Sequence, residues 1–499
     1  MKFLAEVRRR LRRGTLRLFW LLLLASANLS EALSEPLRET SSEHLTPTQA
    51  RAYAEVLKLR RPQLNGADAG ALLVQDCLSI TELLVSQDAA RYEATVAAQS
   101  RRLDQLQRQP ASALRDYALA EIRLHQAAAQ VVFGHEMQGA WSLRQSYQHM
   151  QQVVRRYPHY LPARKTLGMM QFFIGSLPEG YRWFLKLLGL PGSVEAGLHN
   201  LRLAATQPND FQLEARLILA LLEETYYKKP AAALRLVQDL HRQQPDSQLL
   251  TYLLISQLKK QHRTAEALAA YQARPAGSGY LALPYLHHMA ADLLLYQGQY
   301  AASLRANQQF LREYQGQHYR KDAAFKLYLA AWLGGAPAGT VAAYQRQIGA
   351  GGRTVVEEDS YAQRFFEDGQ PLNRTLTRAR LQIDGGYYRP ALATLATFRP
   401  AAATPLRDRL EAPYRQARAL HLLGQLDSAR LFYAHTISRA GNAPYYFAPQ
   451  SALQLGYMYQ AEGQAATART YFKKALSYPR HEYKNSTDTK AKLALKELE

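Results

Sequence analysis

Residues Pro449–Pro479 read PQSALQLGYMYQAEGQAATARTYFKKALSYP, and this stretch decides the fold. Leu455, Gly456 and Tyr459 are followed at fixed offsets by Ala468, Phe472, Ala475 and Pro479. Small residues stand where two helices cross closely: Gly456 and Ala468 let the backbones approach, and Tyr459 and Phe472 fill the space on either side. Ala465, Ala468, Phe472, Ala475 and Leu476 recur at spacings of three and four, which gives the second helix a single buried stripe. A lone helical hairpin cannot hide such a stripe, so the pattern predicts neighbours stacked beside it.

Outward from this unit the same register recurs, with starts near Glu214, Gln248, Pro284, Lys321, Leu372, Leu410 and Pro449, spaced by 34, 36, 37, 51, 38 and 39 residues. That is the tetratricopeptide (TPR) period. The turns carry glycine at Gly298–Tyr300, Gly385–Tyr388, Gly424–Leu426 and Glu462–Ala465, where a left-handed residue closes a helix. Helix-forming Ala, Leu, Gln and Arg dominate, and Val-Ile-Thr alternation is almost absent. The expected fold class is all-α, a TPR-like α-α superhelical solenoid of antiparallel helix hairpins.

Upstream, helices are predicted near Thr48–Arg61, Gly70–Ser86, Ala89–Arg108, Ala111–Phe133 and His135–Tyr157, punctuated by Pro62, Pro110 and Pro158. The chain divides into N-terminal helical hairpins of degenerate repeat character (48–206), TPR-like repeats (207–348), an insertion (349–371), and further repeats with a capping helix (372–499). The insertion reads GAGGRTVVEEDSYAQRFFEDGQ from Gly349 to Gln370, a mobile loop or an extra short helix. The polar, Lys-rich tail from His481 to Glu499 caps the stack.

The 499 residues are 47% hydrophobic and 21% charged, which excludes disorder throughout. Residues 1–27 look like an export signal: a basic stretch ending at Arg17, the apolar run Leu18–Leu24, and Ala25-Ser26-Ala27 as a cleavage site. The unbroken apolar run, about ten residues, is short for a membrane span. The expected location is therefore periplasmic or secreted in a bacterium, with an inner-membrane anchor as the alternative. Residues 28–47 form a polar leader. Of the net charge of +21, the excess beyond the basic N-terminal segment is spread along the chain with no long basic run. Solvated arginine-rich faces account for it, or attraction to an acidic partner, anionic lipid or nucleic acid. Cys77 is the only cysteine and sits in an apolar-periodic stretch, so it reads as a buried small hydrophobe.

Two segments carry a more particular pattern: SLRQSYQHM (Ser142–Met150) and LGMMQFFIGSLPEGYRWFLKLLGLPGSVEAGLHNLRLAA (Leu167–Ala205). Their order, an Arg-x-Ser-Tyr helix, a Gly-started helix ending in Ser-Leu-Pro, an aromatic-aliphatic helix and a Gly-Leu-x-x-Leu start, resembles the tetratricopeptide repeat protein 39 / inclusion-body-clearance family. The likeness runs from roughly Leu72 to Tyr478. It implies a helical scaffold without catalytic residues. Arg144, Ser146, Tyr147, Gly168, Pro178 and Gly197 match the pattern, to which the resemblance attaches no functional role. Eukaryotic members are intracellular, some linked to lipid droplets and cleared aggregates. The export-type segment departs from that, so the resemblance carries architecture alone.

No reaction is legible. His135-Glu136 and His481-Glu482 lack the second histidine of a zinc-protease helix, having Gly139 and Asn485 instead. Gly349–Thr354 is a loop before it is an anion cradle. His287 and His288 are adjacent and point apart on a helix. Glu223-Glu224 and Glu357-Glu358 read as solvated pairs. The catalytic, metal and cofactor expectation is none. Binding is easier to place, since positions 2, 5, 9 and 12 of each first helix line a concave groove. This gives Arg380, Arg418 and Tyr457 at position 9, with Tyr414, His421, Leu453 and Gln460 nearby. Arginine with tyrosine suits an acidic or C-terminal peptide, while the plainer role is solvation of an open face. The expected partner is a protein or peptide, acidic in character, with no nucleic acid, and with membrane contact only through an uncleaved N-terminus. Tyr226-Tyr227, Tyr387-Tyr388 and Tyr445-Tyr446-Phe447 are expected to pack between repeats.

Overall fold

The computed structural model describes residues 43–176, 189–227, 230–352, 354 and 356–499. The export-type segment, most of the leader, Pro178, Arg353 and the side chains of Tyr226 and Tyr227 lie outside the described residues. The rest is an all-α repeat solenoid of twenty-three helices among the described residues, with one isolated bridge between Arg60 and Tyr280.

Helix α1 (Pro47–Leu57) precedes the hairpins α2/α3 (Ala69–Ser86, Ala89–Gln107), α4/α5 (Ala113–Val132, Glu136–Arg156), α6/α7 (Leu161–Gly175, Val194–Thr206) and α8/α9 (Gln212–Tyr227, Pro230–Gln243). Then come α10/α11 (Gln248–Lys260, Thr264–Gln272), α12/α13 (Tyr285–Tyr296, Tyr300–Glu313) and α14/α15 (Arg320–Leu333, Ala338–Gly349). A single helix, α16 (Glu357–Asp368), occupies the insertion. Hairpins α17/α18 (Arg374–Asp384, Tyr388–Leu395), α19/α20 (Leu406–Leu422, Leu426–Ala440) and α21/α22 (Phe447–Ala461, Ala465–Leu476) follow, closed by α23 (Lys484–Glu497).

Local chemistry starts these helices. Thr46 and Gln49 form a reciprocal capping box on α1, and Asp68, Asp88, Ser112, Ser193, Ser247 and Asn373 accept from backbone N–H groups at later starts. The turn glycines Gly298, Gly386, Gly424 and Gly463 all take positive φ, as the turn motifs require. Ala468, Phe472 and Ala475 are fully buried, and a Cβ on Gly456 would come 2.5 Å from the Phe472 ring, so the crossing read from sequence is present. Tyr459 differs: it is half-buried and stacks on Tyr471, while Tyr457 meets Phe472 edge-on at 5.3 Å.

Successive hairpins pack in serial order, and the first helices of the hairpins touch one another along the inner side. Polar staples hold this inner row. Lys165 on α6 lies between Glu121 on α4 (3.2 Å) and Glu214 on α8 (2.5 Å), and the Tyr53 hydroxyl on α1 donates to Glu214 at 2.9 Å. Asp292 on α12 bridges Lys259 on α10 and Lys326 on α14, and Lys326 also pairs with Asp322 at 3.0 Å.

Three long-range contacts go beyond simple stacking. Past α1, Leu281 donates its N–H to Leu59 O at 2.7 Å, and Arg60 donates to the Tyr280 hydroxyl at 2.7 Å. Leu45, expected in the free leader, is buried and its N–H is bound by Asp210 at 3.0 Å. The α17–α18 turn docks on the α10–α11 turn: His262 Nδ1 lies 2.7 Å from Asp384 O, and the Thr264 hydroxyl donates to Gly385 O at 2.8 Å. Gly386, at φ +86°, is required there, since a Cβ would stand 2.1 Å from His262 O.

Helix α16 causes this fold-back. It packs on α14 through Tyr361 and Phe365 against Phe325, with ring centroids 5.6 and 4.8 Å apart. Asp359 accepts from the backbone N–H groups of Tyr319 (2.7 Å) and Asp322 (2.8 Å), closing the start of α14. A helix without a hairpin partner separates the α14/α15 unit from α17, which then rests on the end of α12.

Candidate binding groove in the C-terminal half

Inner helices α17, α19 and α21 carry the predicted groove residues. Arg380 on α17 is half-buried and donates to the Tyr361 hydroxyl of α16 at 2.8 Å. Arg418 on α19 is half-buried and donates to Gln454 Oε1 of α21 at 3.2 Å. His421 lies 3.3 Å from the Tyr433 hydroxyl, and burial, with the Arg418 charge second, holds its pKa below the ordinary value. Tyr457 and Gln460 are half-buried on α21, and Gln460 reaches Glu497 at 3.5 Å.

Two predicted residues need correction. Leu453 is 1% exposed and packs in the core with Ala452 and Phe472. Tyr414 is 7% exposed, enclosed by the rings of Tyr446 and Phe447 at 5.7 and 5.5 Å. Neither offers a face to a partner. An inner helix packs on both adjacent inner helices, so half of its inward positions are buried by its own neighbours. Glu224 is corrected too: it accepts from Gln257 at 2.7 Å and pairs with Lys260 at 3.1 Å, whereas Glu357 and Glu358 are exposed.

Sequence reasoning missed Arg415. It is buried on α19, donates to Glu411 at 3.0 Å, and donates to the Tyr446 hydroxyl at 2.8 Å. The inner face of this half is thus an arginine row, Arg380, Arg415 and Arg418, with phenols or an amide as most of its partners. A neutral acceptor leaves a guanidinium largely uncompensated, and a carboxylate in its place forms a stronger, charge-assisted bond.

Beside this row lies a cleft of 690 Å³ between α16 and the turn before α23. Tyr361, Arg364 and Phe365 form one wall, Tyr483 and Lys484 the other, with Arg407 and Tyr445 between. Tyr446 joins row to cleft, because its ring meets Tyr483 edge-on at 5.5 Å. The volume is in the range of ordinary ligand sites. The one sequence signal for it is the Tyr-x-x-Arg-Phe run, Tyr361–Phe365, inside the insertion.

The other candidates settle into structural places. His288 lies 2.8 Å from Asn307 Oδ1 and 3.0 Å from Asp322, while His287 faces Tyr271 at 2.7 Å, so the two rings diverge. His135 stacks on Tyr92 at 4.8 Å. Cys77 is buried, and burial pushes its thiol well up.

No family model matches the chain, and no curated protein matches it. Among solved structures it is similar to the human IFIT1 dimer with m7Gppp-AAAA, at 13% identity and a TM-score of 0.34 over 91% of this chain and 98% of that one. It is also similar to the human IFIT1 dimer with PPP-AAAA, at 14% identity and a TM-score of 0.31 over the same shares. Those structures are named with nucleic acids, at odds with the exclusion of nucleic acid made from the sequence, and that exclusion is withdrawn. At these values the likeness concerns the fold, and no ligand is carried from IFIT1 to this chain.

Proposed function

We propose that the chain is a non-catalytic helical-repeat scaffold that holds a protein or peptide along the inner face of its C-terminal half. One observation carries this reading: the inner staples include Lys–carboxylate pairs as far as α14, whereas from α16 onward they are arginines bonded mostly to neutral groups, the Tyr361 and Tyr446 hydroxyls and the Gln454 amide, with Glu411 as the one carboxylate among these partners. Replacing Arg380, Arg418 and Tyr457 together should weaken partner capture while leaving helicity intact. Unchanged capture sinks the groove reading.

Export to a bacterial cell envelope is part of the proposal and rests on the pattern of residues 1–27. N-terminal sequencing of the mature chain tests it. A start near Asn28 supports cleavage and export, and an intact Met1 in the membrane fraction supports an anchored protein instead. Kinship with the tetratricopeptide repeat protein 39 family is likewise proposed, on Ser142–Met150 and Leu167–Ala205. Two of its residues have a physical reason to be glycine: a Cβ on Gly168 would come 2.7 Å from Gly197 O, and one on Gly197 as close to Gly168 O.

A further inference from the structure

Two inner helices begin alike. Tyr319 before α14 and Tyr483 before α23 both take left-handed backbone, at φ 65° and 59°. Tyrosine is an uncommon choice there. In each case the next residue is basic and reaches back to the carbonyl of a buried tyrosine six positions before it: Arg320 donates to Tyr314 O at 3.0 Å, and Lys484 to Tyr478 O at 2.9 Å. The first of these starts holds a carboxylate, that of Asp359, on the N–H groups of Tyr319 and Asp322. At the second start no carboxylate of the described residues bonds the Tyr483 N–H, and the turn faces the 690 Å³ cleft.

The cleft walls supply charge independently of that turn. Arg407, half-buried on α19, makes no hydrogen bond or ion pair with a described residue, and Arg364 is exposed and bonds the Tyr483 hydroxyl; both also attract the Glu482 carboxylate across the cleft. Lys484 is already paired with Asp488 at 2.9 Å. Glu357, Asp368 and Glu482 also line the cleft. Their charge repels a polyanion along its whole length, whereas a single carboxylate meets Arg407, which forms no ion pair with a described carboxylate. An isolated acidic side chain on a peptide therefore fits better than a phosphodiester chain.

The geometry points to this cleft as a pocket for an Asp or Glu side chain of a peptide partner, clamped by Arg364 and Arg407. The inference deepens the groove reading and rests on it. The test uses the full chain and a short fluorescent Gly-Glu peptide with an amidated C-terminus, with the amidated Gly-Gln peptide as control, read by anisotropy at low salt. The Glu peptide should bind and the Gln peptide should not. Arg407→Gln and Arg364→Gln should each weaken binding about tenfold or more, the loss of one charge-assisted bond. Arg407→Lys should restore part of it. Circular dichroism of Arg407→Gln should match the parent, since Arg407 bonds no described residue.

Equal binding of both peptides, or full affinity in both arginine variants, overturns the pocket. So does a single-stranded oligonucleotide that displaces the probe better than unlabelled Glu peptide. The two readings fail separately. If Arg380, Arg418 and Tyr457 are needed for native capture while Arg407→Gln leaves the Glu peptide bound, the groove stands and the pocket falls. The reverse pattern removes the groove and keeps the pocket.

Discussion

Lys165 and Arg415 hold corresponding places, each on the first helix of a hairpin and each withdrawn from solvent. Their surroundings differ. Lys165 has two acidic partners, the Glu121 carboxylate and the buried Glu214 carboxyl, and lies over the Phe211 ring at 5.0 Å. The apolar side chains around it belong to one continuous core running from Leu45 to Leu293. Arg415 has one carboxylate and a phenol, and the core near it is divided among smaller clusters on α17–α22. A compensated charge inside a continuous core makes a closed, cooperative body. Arginines bonded mostly to phenols and an amide beside a cleft, with the apolar packing in separate parcels, give the second half the surface on which the proposed partner would rest.

Lys165→Ala is the harshest way to break that contrast. It strands the buried Glu121 carboxylate and leaves the Glu214 carboxyl without its partner, and should cost about 3–5 kcal/mol, lowering a single melting transition of the first half. Phe472→Ala should cost about 3–4 kcal/mol but free only the last hairpin, so that hydrogen exchange rises in α21–α23 while α2–α8 stay protected. Loss of protection across the whole chain would mean that the two halves are not energetically distinct. Gly386→Ala should cost about 2–3 kcal/mol, through strain at positive φ and the clash with His262 O, and should loosen the α17–α18 turn from the α10–α11 turn. Limited proteolysis in that turn checks it.

The smallest effect is one of pH. Burial pushes the Glu214 carboxyl from its ordinary 4.5 up to about 8, against the opposing pull of Lys165. The folded chain then keeps a proton that the unfolded chain releases. This contribution to stability is complete below pH 4.5 and is lost as pH rises through about 8. The slope is at most about 1.4 kcal/mol per pH unit for one proton. Glu214→Gln should flatten it in thermal melts over that window, and an unchanged slope assigns the proton elsewhere.

Fold legibility followed distance along the chain. The α21/α22 hairpin was readable because Gly456, Ala468 and Phe472 meet within one repeat, where spacing maps directly onto helix faces. The docking of Arg60 on Tyr280 joins residues 220 apart and leaves no periodic trace. Arg380 and Arg418 could be found by register. Leu453 and Tyr414 were misplaced by the same register, because a helical wheel separates inside from outside but not groove from neighbouring helix. Arg415 escaped because it sits one step off the counted positions, and the cleft because half of it belongs to the insertion.

Helix α16 has a consequence of its own. Hairpins alternate inner and outer rods, and one unpaired rod upsets that rhythm, so α17 packs back on α12 as well as forward on α19. A stiff rod-shaped guest following the inside of the first half would run into this step. The C-terminal half has, in effect, its own doorway, and α16 is the jamb.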